Sequence, residues 1–185
     1  VTPNIRMRPR VLPLLKCPVF DVPYIHAMDF LDSMSVKPAE EKIRFIQSLP
    51  ELLGRGVLGR DVAIYKVMPV LVGAVTTIAG TEGAMQQDVN RREVLATIPP
   101  LFSIAENHLM SDPDEFKAAL TPIVEVLFKI NDRGVRGALL QRSALYSAHM
   151  DKAALNVSVF EPMCSGFTDS SGALRELTLK SAISL

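Results

Sequence analysis

The sequence predicts an all-α protein made of stacked helical pairs, on three observations. Apolar residues recur at three- and four-residue spacing, glycines gather between those stretches, and one segment of the chain is repeated 40 residues later. No stretch shows sustained alternation bounded by hairpin turns, so strands are not expected. Of the 185 residues 48% are apolar and 22% charged, which excludes a disordered tail as the main reading.

Taken in order, the first 23 residues hold Pro3, Pro9, Pro13, Pro18 and Pro23. Proline lacks the amide donor that a helix or sheet interior needs, so 1–23 reads as an extended segment. It would cross the surface of the first helices with Leu12, Leu14, Leu15 and Phe20 as anchors, and Arg6, Arg8, Arg10 and Lys16 read as solvated charge. Residues 24–185 form the helical region. Pro38, Glu40 and Glu41 suit a first turn, because proline presets the dihedral and carboxylates favour the positive end of the dipole. Ile43, Ile46, Leu49, Leu52 and Leu53 follow on one face, and Gly54, Gly56 and Gly59 end that helix.

A second apolar helix is expected over 61–79, with a break at Gly80, Thr81, Glu82 and Gly83. A third runs over 88–108, with a bend at Pro99 and Pro100. Ser111, Asp112, Pro113 and Glu115 then give a start signal: a capping side chain, proline at the first position, and glutamate in the first turn.

The repeat decides the architecture. Leu120-Thr121-Pro122-Ile123-Val124 runs to Asn131-Asp132-Arg133-Gly134-Val135-Arg136, and Phe160-Glu161-Pro162-Met163-Cys164 runs to Asp169-Ser170-Ser171-Gly172-Ala173-Leu174-Arg175. Pro122 and Pro162 stand 40 residues apart, Arg136 and Arg175 39 apart. That period belongs to HEAT and armadillo units, each a helix pair. An earlier copy starts at Lys66-Val67-Met68-Pro69-Val70-Leu71, 53 residues before the next, so its turn around 80–90 is lengthened. Pro69, Pro122 and Pro162 would bend the first helix of each pair. Asp132 and Asp169 would cap the turn, and Arg136 and Arg175 would reach an aspartate of their own or an adjacent unit. One unit cannot bury its apolar face alone, so a HEAT/armadillo-type superhelix of about eight helices in four pairs is expected.

With those residues in place, 17–185 resembles the HEAT region of the Scyl family of pseudokinases, which follows their kinase-like domain. The resemblance lies in Lys37-Pro38-Ala39-Glu40-Glu41-Lys42 with Phe45 and Leu49, in Tyr65-Lys66-Val67-Met68-Pro69-Val70-Leu71, and in Val159-Phe160-Glu161-Pro162. The last leads into Gly166-Phe167-Thr168-Asp169 and Leu174-Arg175-Glu176-Leu177-Thr178-Leu179-Lys180-Ser181. The turn at 80–87 departs from the family pattern in length and composition. The resemblance implies a non-catalytic scaffold in coated-vesicle traffic around the Golgi and endosomes, cytoplasmic, with coatomer or clathrin-adaptor components as partners. Coat-binding signals of the family lie in tails beyond this region.

The opening Val1 and the helical reading of 175–185 suggest a piece of a longer protein. Lysine plus arginine and aspartate plus glutamate each total 20, so the basic excess of a nucleic-acid binder is absent. Cys17 and Cys164 lack partners at disulfide or metal spacing, and a reducing compartment is the default. The apolar run from Val67 to Gly80 contains Pro69 and is too short to span a bilayer, so direct membrane insertion is not expected.

Gly54-Arg55-Gly56-Val57-Leu58-Gly59 matches G-x-G-x-x-G, and Val62-Ala63-Ile64 with Lys66 resembles a kinase lysine strand. An amphipathic helix precedes the glycines where a strand is required, and no H-R-D, D-F-G or A-P-E follows. The segment reads as an interhelical loop. His26, His108 and His149 sit on separate helices without ligands at metal spacing, and Cys164 reads as a buried small apolar residue. No cofactor and no catalytic residue is expected. Among Arg91, Arg92, Lys129, Arg133, Arg136 and Arg142, Arg136 reads as structural. Arg133 and Arg142 are the candidates to face an acidic partner from the second helices of the stack, against a default of solvated charge. Because a fold alone does not fix a function, a HEAT adaptor of nuclear transport or phosphatase regulation stands as the alternative.

Overall fold

The computed structural model describes residues 17–185, so the expectations placed on 1–16 lie outside the described residues. Among these residues helices alternate with turns and no strand occurs. Two compact units are present, one ending at Lys37 and the other spanning Pro38–Leu185.

In the first unit a 3-10 turn at Pro18–Phe20 leads to α1, Pro23–Ser33, which starts on proline and buries Ala27 and Leu31. Phe20, an expected anchor, is 36% exposed. His26 Nε2 lies 2.8 Å from Asp21 Oδ1, and the Lys37 ammonium sits 5.5 Å over the Phe30 ring.

The second unit opens with α2, Ala39–Gly54, whose first turn carries Glu40 and Glu41 and whose core face is Ile43, Ile46 and Leu49. Gly56 ends it at φ 69°, a left-handed conformation that a Cβ would strain. Gly56 N–H donates to the Leu53 carbonyl and Val57 N–H to that of Leu52, the paired bonds of a Schellman cap. Leu58, 1% exposed, pins the loop that follows. The glycine-rich motif is therefore a helix stop and an anchored turn.

Helix α3, Arg60–Gly80, contains a π segment at Ala63–Val67 just before Pro69. Its 21 residues correct the expectation of a run too short for a bilayer: by length and composition α3 could cross a membrane. The helix begins before the purely apolar run, and the sequence reading missed that extra length. In the fold α3 packs against the two helices that follow, burying Val67, Leu71 and Val75. Helix α4, Asp88–Ile104, holds Pro99 and Pro100 and continues as a π segment at Ala105–Leu109. The lengthened turn before it contains left-handed Gly83 and a 3-10 turn, Ala84–Gln86.

Helix α5, Pro113–Lys129, starts as the sequence predicts: Asp112 Oδ1 accepts from the Asp114 and Glu115 amides at 3.1 Å, and Pro113 stands first. Helix α6, Arg133–Leu140, is capped by Asp132, and a short α7, Ser143–Ser147, follows. Helix α8, 152–164, again carries a π segment, Leu155–Phe160, just before Pro162. Helix α9, Gly172–Ser184, is capped by Ser171. The three repeat prolines are thus not equivalent. Pro69 and Pro162 each follow a π segment, whereas Pro122 lies inside an unbroken α-helix. Proline frees the carbonyl four residues back, and a wider turn is one way to re-house it.

Packing within this unit follows two rows. Helices α2, α4, α6 and α9 pack successively on one another, α3, α5 and α8 do the same, and α3 lies on α4 and α5 on α6. The core is continuous, with Ile46, Leu71, Ile98, Leu101, Val124, Leu127 and Leu139 all at 0% exposure. At 25 cal/mol per Å2 of apolar surface, each such side chain contributes about 1.5–3 kcal/mol, and none of these helices could hold its apolar face alone.

Candidate interaction surface

A shared rule governs the row α2, α4, α6 and α9. The fourth residue of each helix is a cation: Lys42, Arg91, Arg136 and Arg175. Four residues on, one turn further along the same face, stands an aliphatic side chain: Ile46, Leu95, Leu140 and Leu179. The first two of these cations meet a carboxylate near the start of the next helix in the row. Lys42 Nζ lies 3.8 Å from Glu93 Oε1, and Arg91 Nε 2.6 Å from Asp132 Oδ2. Arg136 contributes its charge to Asp169, while Arg133 Nε makes the direct contact at 3.0 Å. Beside them Arg92 grips Glu40 with both terminal nitrogens, at 2.7 and 3.1 Å.

The other row is tied in the same manner. Arg60 Nη2 donates to Glu115 Oε2 at 2.6 Å, and the Tyr65 hydroxyl to Oε1 at 2.9 Å. Lys117 Nζ meets Asp151 at 2.5 Å, and Ser158 Oγ donates to Glu125 at 3.0 Å. Cross-strand pairing has no part in this fold, so side-chain ladders and apolar contacts fix the register between neighbouring units.

The electrostatics follow from these contacts. Burial alone would raise the Asp132 pKa, but the bond from Arg91 and those from the Val135 and Gly134 amides outweigh it and hold the carboxyl below its ordinary 3.8. Asp169 is held low chiefly by the Ser171 amide, with Arg133 and Arg136 adding to it. Glu93 behaves oppositely: at 4% exposure burial raises its pKa above 4.5, and Lys42 offsets this only in part.

Each residue singled out from sequence has a definite place. Asp132 caps α6 by accepting from Val135 N–H at 3.0 Å, and Asp169 accepts from Ser171 N–H at 2.8 Å. Arg136 Nη2 reaches Asn131 Oδ1 at 3.4 Å, and Arg175 Nη1 reaches the carbonyls of Asp169 and Ser170 at 2.7 and 3.2 Å. Arg133, expected to face a partner, is 64% exposed but directs its guanidinium to Asp169 and Ser170. Arg142 lies half-buried with its guanidinium 5.5 Å from the Phe102 ring centre. Cys164 is half-buried rather than buried, and Cys17 likewise. His149 packs on Phe116 with ring centres 4.3 Å apart. Among the described residues no group of three or more His, Cys, Asp or Glu is placed to hold a metal ion.

The sequence reading weighed Arg91 and Arg92 without giving them partners, and it did not single out the Lys42–Glu93 pair. Their signal was there, in the distance of each cation from its helix start, but it needs the helix starts to be known. Between α2 and α4 the row opens into a groove of about 410 Å3, lined by Ile43, Ile46, Gln47, Pro50, Arg92, Leu95, Ala96, Pro99 and Pro100. Pro50 and Pro99 face solvent, so apolar surface with a charged rim is presented outward from two rigid helices.

Set against known proteins, the chain is 27% identical over 169 residues to a Dictyostelium discoideum protein named probable inactive serine/threonine-protein kinase scy1, covering 91% of this chain. This likeness supports a Scy1-like relation for the chain. It is also 23% identical over 198 residues to the mouse protein-associating with the carboxyl-terminal domain of ezrin, covering 98% of this chain. The chain spans only 18% and 24% of the lengths of these two relatives. No protein-family model matches it, and no solved structure does.

Proposed function

We propose that this Scy1-like chain is a non-catalytic protein-interaction scaffold, the helical-repeat region of a pseudokinase that works in coated-vesicle traffic at Golgi and endosomal membranes from the cytoplasmic side. The observation that carries the reading is the combination of a relative named as an inactive kinase with a two-row helical stack. In such a stack helix faces make extended binding surfaces. The titratable group at the α2–α4 groove serves the fold: Arg92 is held by Glu40. No cofactor and no nucleic acid enter this account, and the equal numbers of cationic and anionic residues agree with a protein partner.

The partner on this reading is a coatomer or clathrin-adaptor component that lays an apolar segment into the α2–α4 groove. A second reading comes from the mouse relative's name: the partner is the C-terminal domain of an ezrin-like protein, held on the same surface. Purified coatomer, clathrin adaptors and the ezrin C-terminal domain, titrated in turn against the full polypeptide, separate the two. Binding of a coat component that is lost in Ala96→Glu, with the melting temperature unchanged, supports the first. Binding of the ezrin domain alone sinks the trafficking role and leaves the scaffold intact.

A further inference from the structure

The bend between α8 and α9 draws three arginines to one short stretch of chain. Arg133, the first residue of α6, spreads its guanidinium over this bend: Nε lies 3.0 Å from Asp169 Oδ2, and Nη2 donates to Ser170 Oγ at 2.7 Å. Arg175 approaches from α9, where Nη1 donates to the carbonyls of Asp169 and Ser170 at 2.7 and 3.2 Å. Arg136, one turn along α6, adds its charge to Asp169. Ser170 is exposed and stands outside any helix.

Charge on this bend does not balance. Arg133 pairs with Asp169, but Arg136 bonds to Asn131 and Arg175 to main-chain carbonyls. Among the described residues Asp169 is the carboxylate that these three guanidiniums share, which leaves two positive charges in excess. The preceding junction of the row differs. There the residue that caps α6 is an anion, Asp132, and it takes Arg91, whereas the residue that caps α9 is the neutral Ser171. The chain as a whole is neutral, so the surplus is a local property of this bend.

We propose that Ser170 is a phosphorylation site whose phosphate is held by Arg133 and Arg175. In the reaction Ser170 Oγ bonds to the γ-phosphorus of a nucleoside triphosphate carried by a protein kinase. The bridging P–O bond breaks, the nucleoside diphosphate leaves with its electron pair, and the seryl proton passes to a base of the kinase. The phosphoryl group starts one bond beyond Ser170 Oγ, where Arg133 Nη2 already points, and its charge of about −1.5 to −2 at neutral pH matches the surplus. The planar fork of arginine suits phosphate oxygens, and such charge-assisted bonds are among the strong ones. Asp169 offers little opposition. Its side chain is 7% exposed and accepts from Ser171 N–H and Arg133 Nε, so the Arg133 guanidinium lies between the carboxylate and Ser170. Because Arg133 belongs to α6 and Ser170 to the bend that leads into α9, the phosphate ties two neighbouring helices together.

The test installs phosphoserine at position 170 in the full polypeptide encoded by the gene and follows amide hydrogen exchange, each rate taken relative to the unfolded chain. Exchange over the first turns of α9 is expected to be at least about fivefold slower with phosphoserine than with serine. The comparison is repeated in Arg133→Gln and Arg175→Gln, each against its own unphosphorylated form, and the gain is expected to vanish in the first and shrink in the second. Polypeptide purified from the cells that express it, with phosphatases inhibited, is expected to carry phosphate at Ser170 by mass spectrometry. Equal or faster exchange in the phosphorylated protein overturns the proposal, as does a gain that survives both arginine substitutions. Cellular protein unmodified at Ser170, or phosphorylated at Ser171 in its place, overturns it as well.

Discussion

Arg91 and Asp132 meet at 2.6 Å across the boundary between two repeat units, and the other oxygen of that carboxylate accepts the Val135 amide at 3.0 Å. One side chain therefore both starts α6 and ties it to α4. Gly134 is part of the same junction: a Cβ there would lie 3.1 Å from Asp132 Oδ1 and 3.2 Å from Leu95 Cδ2. The turn is built for close approach of the two helices.

Replacing Asp132 with alanine removes the cap and the ion pair together. The cap alone is worth about 1 kcal/mol, so urea unfolding is expected to show at least that loss. Asp132→Asn keeps a capping oxygen and loses less. A double-mutant cycle with Arg91→Ala is expected to be non-additive, because both substitutions remove one contact. The pH dependence has a definite sign. With its folded pKa below 3.8, Asp132 contributes fully above that value, and the contribution vanishes as pH falls through the folded pKa. The wild type and Asp132→Asn should therefore converge in stability in strong acid and diverge toward neutral pH.

Glu93 gives the opposite dependence. Its folded pKa lies above 4.5, so the ionised form is disfavoured by folding, and the penalty is present above the folded pKa and disappears below 4.5. Glu93→Gln is expected to stabilise the protein by about 1 kcal/mol at pH 7, with the advantage shrinking as pH falls toward 4.5. Lys42→Ala should destabilise, because it leaves a 4% exposed carboxylate without its cation. Thermal melts from pH 4 to pH 8 check both.

Gly166 touches α9 where no larger residue fits: a Cβ would lie 2.3 Å from Thr178 Oγ1, and Thr178 is itself 0% exposed. Gly166→Ala is expected to cost about 1–3 kcal/mol by overpacking. Thr178→Ala in the same chain should recover part of that loss, which a melt of the double variant would show.

Tyr146 is buried at 0% exposure between Phe102 and Phe128, each with its ring centre 6.2 Å away, and its hydroxyl has no hydrogen-bond partner among the described residues. Tyr146→Phe is expected to leave stability unchanged or raise it by about 1 kcal/mol, since a buried unpaired donor is removed without opening a cavity. Tyr146→Ala should lose about 3–5 kcal/mol. Burial drives the phenol pKa far upward, so alkaline titration should show no ionisation of this tyrosine before the chain unfolds.

Much of the stack was legible in the sequence. The 40-residue spacing of Pro122 and Pro162, the cap chemistry at Asp112 and Asp132, and the glycine stop at Gly56 are local, and local rules read them. The candidate surface was less legible. Arg133 and Arg91 look alike as single residues, and only the position of the next helix directs one to Asp169 and the other to Asp132. Arg136 stood out because it repeats as Arg175, yet its own hydrogen bond is a 3.4 Å contact to Asn131.

By itself the sequence determined the helical class, the repeat, the caps and the turns, because each rests on interactions spanning a few residues. The tertiary structure decided which cation meets which acid, that Pro69 and Pro162 sit behind π segments while Pro122 does not, and that Glu93 is buried beside Lys42. Those outcomes depend on how neighbouring units pack, and a contact between residues 41 positions apart, such as Arg91 with Asp132, has no local signature in the chain.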